Sequence, residues 1–320
     1  MARSDLLVSL VRSGTTGDQV GFRRAAEAII AEEQAKQHGV LASQLSEALR
    51  SDAQKRIAGP TSKPTSSGLV FDSEPERRLE DLVLPAGVRS AVSEIVEEHH
   101  RHDLLRSHGL EPRHRVLLVG PPGSGKTSLA EAIATEVMVP FLVARYEGLI
   151  TSYLGETASR LDALFDAVRV RPCVLFFDEF DTIAKERGDI HETGEIKRVV
   201  SSLLLQIDRL PSYVIVVVAT NHPELLDRAV WRRFQARLQL PSSTREGLIE
   251  FLDRWVARTD ITLGYSHRTL ADRLAGRSYA EAEEFVTTVQ RRLILSPGDA
   301  RDVVRSSLEH LKNQSVQHNG

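Results

Sequence analysis

The densest chemistry in the sequence lies in the run Gly120, Pro121, Pro122, Gly123, Ser124, Gly125, Lys126, Thr127 and Ser128. Glycines at 123 and 125 let the backbone curl until successive N–H groups face one point, which suits phosphate oxygens. A helix starting near Lys126 would add the positive end of its dipole. Lys126 is then placed to reach the β- and γ-phosphates of a nucleotide, and the Thr127 hydroxyl to bind Mg²⁺. The run fits the pattern G-x-x-x-x-G-K-[ST]. Its setting, between the apolar stretch Val116–Val119 and an amphipathic one, is the setting that pattern requires.

Two further carboxylates close the segment VLFFDEFD, residues 174–181, where a buried-strand run ends in Asp178 and Glu179. The carboxyl end of a strand is where doubly wound sheets bind ligands. Asp178 would join Thr127 around Mg²⁺, and Glu179 is placed to polarise a water attacking the γ-phosphate. A third apolar strand ends in the polar Asn221, followed by a helical stretch and the pair Arg232 and Arg233, within VVVATNHPELLDRAVWRRF. A guanidinium can neutralise charge developing on phosphoryl oxygens, and is worth several orders of magnitude in rate when supplied in trans. In TSYLGETASRL an aromatic residue, Tyr153, stands beside an aliphatic one, Leu154.

These residues need a scaffold that brings several strand ends together. From Leu79 onward the sequence supplies one, as short Val/Leu/Phe runs at 116–119, 140–144, 173–177, 214–219 and 237–240 alternate with helical patterns at 126–137, 157–168, 194–208 and 224–232. That alternation predicts an α/β fold, a doubly wound parallel five-stranded sheet covered by helices on both faces. After Pro241 only helical patterns remain, at 245–257, 267–274, 279–295 and 299–311. Before Leu79, apolar residues at helical spacing (Phe22, Ala25, Ala26, Ile29 and Ile30, then Leu41, Leu45, Ala48 and Leu49) give way to the Pro/Ser/Thr/Gly-rich stretch 59–76. The expected organisation is an N-terminal helical module (1–57), a flexible linker (58–78), a nucleotide-binding α/β domain (79–241), a helical lid (242–312) and a disordered tail (313–320).

Taken in order, the motifs resemble those of the AAA+ ATPases over about residues 79–295, and within them the AAA type proper. That resemblance makes GPPGSGKT the Walker A loop, VLFFDEFD the Walker B strand, Asn221 the sensor 1 residue and Arg232 with Arg233 the arginine fingers of a neighbouring subunit. It implies a Mg²⁺-dependent ATPase working as a ring, a hexamer, that unfolds, remodels or translocates polypeptides gripped by Tyr153 and Leu154 in its first pore loop; the charged segment 186–194 aligns with the second. In the segment 274–285, Ala280 stands where other clades carry a sensor 2 Arg, and Arg277 precedes it. LEDLVLP, residues 79–85, corresponds to the stretch whose backbone recognises adenine. The single-domain layout is also similar to prokaryotic ATPases encoded beside subtilisin-like proteases, which implies a serine protease as partner.

The rest of the sequence narrows the function classes. With 320 residues, 41% hydrophobic and 27% charged, the chain is long enough for a full core and is of ordinary globular composition. Its net charge of −3 and the lack of a basic helix-turn-helix or aromatic-basic stretch speak against a nucleic-acid loader. Glu179 speaks against the other alternative, a regulatory switch that binds ATP without hydrolysing it. The single cysteine, Cys173, rules out an internal disulfide or a Cys-rich zinc site and is expected to be a buried apolar residue. The apolar stretch 6–11 is too short to span a membrane, so a cytoplasmic protein is expected.

Overall fold

Strand runs that are apolar along their length must be covered on both faces, and the central strands of this protein's parallel sheet are such runs, CVLFF and VIVVVAT being buried at every position. The computed structural model describes residues 69–144, 154–181, 193–226, 228–295 and 299–317. They belong to a unit that begins at Ser66, separate from a unit formed by Met1–Thr65. The expected N-terminal helices fall among residues 1–68 and lie outside the described residues.

In chain order the α/β part contains β1 (Val70–Ser73), a 3-10 turn (Leu79–Asp81), α1 (Ala86–His100), α2 (His102–Ser107), β2 (Arg115–Val119), α3 (Lys126–Val137) and β3 (Phe141–Ala144). It continues with α4 (Leu154–Val168), β4 (Cys173–Phe177), α5 (Thr193–Asp208), β5 (Val214–Thr220), α6 (Arg228–Arg233) and β6 (Ala236–Gln239). The sheet order is β1-β3-β4-β5-β2-β6. All neighbours run parallel except β1 and β3, which pair antiparallel from Val70↔Ala144 to Ser73↔Phe141.

The five expected parallel strands are present, and the expected count is corrected to six among the described residues. The extra strand, β1, lies in the stretch expected to be a linker. Two of its four residues face solvent, so it carries no apolar run. Backbone pairing with β3 and the packing of Leu69 and Val70 on the core hold it in place. It also covers an otherwise open edge of β3.

Alternation along the buried strands sorts side chains to two faces. Leu117, Val119, Leu175, Phe177, Val216 and Val218 meet Leu161, Leu164 and Phe165 of α4 and Leu203, Leu204 and Ile207 of α5. Val116, Leu118, Val174, Phe176, Val217 and Ala219 meet Val92 and Ile95 of α1 and Leu129 and Ile133 of α3. A helical lid follows: α7 (Arg245–Thr259), α8 (His267–Arg273), α9 (Tyr279–Leu295) and α10 (Ala300–Gln317), with its own core around Leu252, Trp255, Leu270, Phe285, Val289 and Val304. Thr244 and Ser266 cap α7 and α8, each hydroxyl accepting from a backbone N–H three residues on. Ser278 and Glu281 form a reciprocal capping box at the start of α9: Ser278 N donates to Glu281 Oε2 at 2.8 Å and Glu281 N to Ser278 Oγ at 3.2 Å. The last helix runs to Gln317, beyond the expected end at 311 and into the stretch expected to be tail.

Candidate functional site

Gly120 leaves β2 at the sheet's carboxyl edge, its N–H donating to the Thr220 carbonyl at 3.3 Å. A Cβ here would lie 2.4 Å from the Leu240 carbonyl oxygen, so the position requires glycine. Gly123 and Gly125 take φ of 70° and 91°, the left-handed region that side chains resist. Pro121, Pro122 and Ser124 complete the turn, with Ser124 N donating to the Pro121 carbonyl at 3.3 Å. The loop then runs straight into α3, so the expected start of that helix at Lys126 holds.

Lys126 is buried at the centre of this loop. Its Nζ donates to the carbonyls of Gly120 (2.8 Å) and Pro121 (2.9 Å) and to Asn221 Oδ1 (2.6 Å). Burial pulls its pKa down, and the nearby charges of Asp178, Asp181 and Glu179 act against that fall. Thr127 Oγ1 donates to Asp178 Oδ2 at 3.0 Å, and Asp178 Oδ1 accepts from the Glu179 N–H at 2.9 Å. A hydroxyl and an oriented carboxylate at this spacing are the hard oxygen donors that Mg²⁺ takes, so these two residues fit the ion.

Glu179 adopts φ 46°, a left-handed conformation that costs a non-glycine residue on the order of 1–3 kcal/mol. The turn it makes sends consecutive side chains opposite ways. Glu179 is exposed beside the loop, while Phe180 enters the core and Asp181 is buried. Asp181 Oδ1 accepts from Thr220 Oγ1 (3.0 Å) and from Asn221 N (3.2 Å). The loop, Asp178, Glu179 and Asn221, which the sequence spreads over a hundred positions, therefore converge at one edge of the sheet.

The lid rests on the loop. Ala280 N donates to the Gly123 carbonyl at 3.3 Å, and a Cβ on Gly123 would meet Ser278 at 2.6 Å. Arg277 donates to Glu281 at 2.7 Å and to the Leu311 carbonyl at 3.4 Å, contacts that lie within the lid. Beside the loop opens a cleft walled by Leu82, Val83, Leu84, Phe251, Trp255 and Tyr279 and reaching Ser128. An apolar slot next to a phosphate-cradling loop suits a planar base. The Leu82 carbonyl on its wall accepts from Arg89 of α1 (2.6 Å) and Arg254 of α7 (3.0 Å), joining sheet side and lid side at one peptide. Burial and the Arg254 charge lower the Arg89 pKa. The segment 79–85 was legible in the sequence. The lid aromatics facing it were not, because Phe251 and Trp255 sit on an ordinary amphipathic helix with no motif to mark them.

Arg232 and Arg233 end α6 and are not brought to this site. Arg233 Nε donates to Asp208 Oδ2 at 2.8 Å, and the other oxygen of Asp208 accepts from Arg115 at 2.7 Å. Gln235 Oε1 accepts from the N–H groups of His114 and Arg115. Arg115 opens β2 and Gly120 follows its end, a separation of roughly 15 Å along the strand. The pair thus occupies the amino edge of the sheet, with Arg232 exposed. Tyr153 lies outside the described residues, as does the segment 182–192; Leu154 opens α4.

The histidines at the end of α1 and the start of α2 have structural partners. His99, His100 and His102 each bond a backbone carbonyl, and the described residues hold no group of three or more His, Cys, Asp or Glu side chains placed to bind a metal ion. Cys173 is buried, and burial pushes its thiol up to about 12. Among the described residues no helix is long and apolar enough to cross a membrane.

A glycine-cradled lysine, a hydroxyl–carboxylate pair, a lone carboxylate and a sheet-capping lid together define a P-loop ATPase. The chain belongs to the AAA family: the model described as "ATPase family associated with various cellular activities (AAA)" matches residues 116–242. The protein named uncharacterised AAA family ATPase y4kL of Sinorhizobium fredii is 36% identical over 302 residues, 92% of this chain and 90% of its own length. The cell division cycle protein 48 homolog of Archaeoglobus fulgidus is 29% identical over 78% of this chain, which spans 35% of that protein. The peroxisomal ATPase pex6 of Schizosaccharomyces pombe is 45% identical over 40% of this chain, which spans 14% of it. The chain binds ATP and hydrolyses it.

Proposed function

We propose that the chain hydrolyses ATP within a ring of identical subunits, a hexamer, in which Arg232 and Arg233 of one subunit complete the ATP site of the next. Lys126 holds the β- and γ-phosphates, Asn221 orients the attacking water and Glu179 takes its proton. Thr127 and Asp178 would hold Mg²⁺, which when bound offsets phosphate charge. The observation that carries the reading is the place of the arginines. Arg233 is anchored by Asp208 at the edge of the sheet opposite its own P-loop, so it can serve phosphoryl transfer only in another subunit.

Each turnover changes the angle between sheet and lid through the contact of Ala280 with Gly123, and Tyr153 with Leu154, ahead of and at the start of α4, pulls a polypeptide through the ring. Delivery of that polypeptide to a serine protease is the accompanying partner reading.

The test is the ATPase rate per subunit against protein concentration, with mass in ATP followed by light scattering. A rate rising steeply with concentration, an ATP-dependent complex of several subunits, and a loss of about 10³-fold in Arg233→Ala are expected. A concentration-independent rate that survives Arg233→Ala would overturn the ring.

A further inference from the structure

Asp181 follows Asp178 by one turn of chain yet serves a different strand. It is 4% exposed, and its Oδ1 accepts from the Thr220 hydroxyl and the Asn221 N–H. The Thr220 hydroxyl, itself fully buried, accepts in turn from the His222 N–H at 3.0 Å. Three consecutive residues at the end of β5 are therefore tied to one carboxylate. Burying a carboxylate costs several kcal/mol, and it is retained where donors aimed at the charged form compensate. A strand that only needed an end could use solvent or a neutral acceptor.

The middle residue of the three is Asn221, whose side chain meets Lys126 Nζ at 2.6 Å. We propose that Asp181 is a positioning residue for ATP hydrolysis, fixing the Asn221 backbone so that its amide faces the phosphate end of the loop beside Lys126. The proposal rests on the reading of Asn221 as the group that orients the attacking water. The strained turn at Glu179 explains how one segment serves both purposes: it presents Glu179 outward and turns Asp181 inward against the neighbouring strand. β4 and β5 pair up to Phe177↔Val218, and beyond that last pair the Asp181 side chain ties the two segments together again at the site.

The experiment measures kcat and KM for ATP in the full-length chain and in Asn221→Ala, Asp181→Ala, their double variant, Asp181→Asn and Thr220→Val. Asn221→Ala is expected to lower kcat about 10²-fold, the usual effect of losing one oriented polar group. Asp181→Ala should lower kcat about tenfold with KM within about twofold, and the double variant should be no slower than Asn221→Ala, since a residue acting through Asn221 has nothing left to position. Asp181→Asn keeps an amide oxygen for both donors and should recover most of kcat. Thr220→Val removes one donor at nearly constant volume and should cost about two- to fivefold.

Multiplied losses in the double variant, a change confined to KM, or an Asp181→Asn as slow as Asp181→Ala would each overturn the proposal. If Asn221→Ala leaves kcat intact, the reading of Asn221 fails and takes the proposal with it. If Asn221→Ala is slow while Asp181→Ala is not, the proposal fails alone. Should Asp181→Ala unfold, Thr220→Val in the wild-type and Asn221→Ala backgrounds decides: a loss in the first only supports the coupling, and equal losses overturn it.

Discussion

The two edges of the parallel sheet are built by opposite means. At the carboxyl edge the main chain does most of the shaping: Gly123, Gly125 and Glu179 take left-handed conformations, and Gly120 admits no side chain against Leu240. At the amino edge positive φ appears, among the described residues, only where α2 and α3 end, at Gly109 and Met138, and side chains do the work, Asp208 bridging Arg115 and Arg233 while Gln235 receives two N–H groups. One edge stores strain around a phosphate-sized cradle, and the other stores charge around two arginines. In the proposed ring, Glu179 from the first edge of one subunit and Arg233 from the second edge of its neighbour would meet at one ATP.

Breaking this comparison has a largest expected effect at Glu179. Glu179→Gln should lower kcat by about 10³-fold while leaving ATP affinity within a fewfold, because it removes a proton acceptor and no phosphate contact. Mixing it with Arg233→Ala sharpens the contrast. Each variant spoils a different edge, so mixed assemblies should regain activity that neither has alone. Absence of recovery at every ratio would mean that both edges serve the same subunit's site.

A smaller effect separates the edges by stability. Gly120→Ala drives a methyl into a backbone carbonyl and should destabilise the fold by about 2–3 kcal/mol. Gln235→Ala removes one acceptor at the opposite edge and should cost about 1 kcal/mol. Urea unfolding midpoints measure both, and equal losses would contradict the view that only the carboxyl edge is sterically tight.

The smallest effect is one of pH. Burial holds His99 and His114, both near the amino edge, below their ordinary value of 6.5. The unfolded chain therefore binds more protons than the folded one as pH falls through 6.5, so their contribution is present above that pH and lost progressively below it. Unfolding midpoints at about pH 7.5 and about pH 5.5 should differ less in a His99→Gln, His114→Gln double variant than in the wild type. An unchanged difference would remove these histidines from the account.

What was legible in the sequence follows from the same division. The glycine loop, the strand-ending carboxylates and Asn221 carry their chemistry in residue type and spacing, and the bounds of α3 and α9 coincide with their apolar periodicity. β1 was not legible, since a half-exposed edge strand is specified by the backbone of its partner. Neither was the pairing of Asp208 with Arg233, 25 residues apart in sequence, because nothing local to either residue names the other. The cleft wall was half legible: Leu82 to Leu84 lie in a motif, whereas Trp255 and Phe251 do their lid-core packing and face the cleft from positions that read as core alone.

The buried Cys173 has a practical reach beyond the fold. It is the only cysteine in the sequence, and burial both disfavours its reactive thiolate and shields it behind β4's neighbours. The wild-type chain is thus close to silent toward thiol-reactive dyes. Cysteines introduced at the exposed positions Val170, beside the sheet, and Ile294, on the lid, would take a donor and an acceptor fluorophore without any background substitution. Energy transfer between them would follow the lid in real time through a single round of ATP turnover.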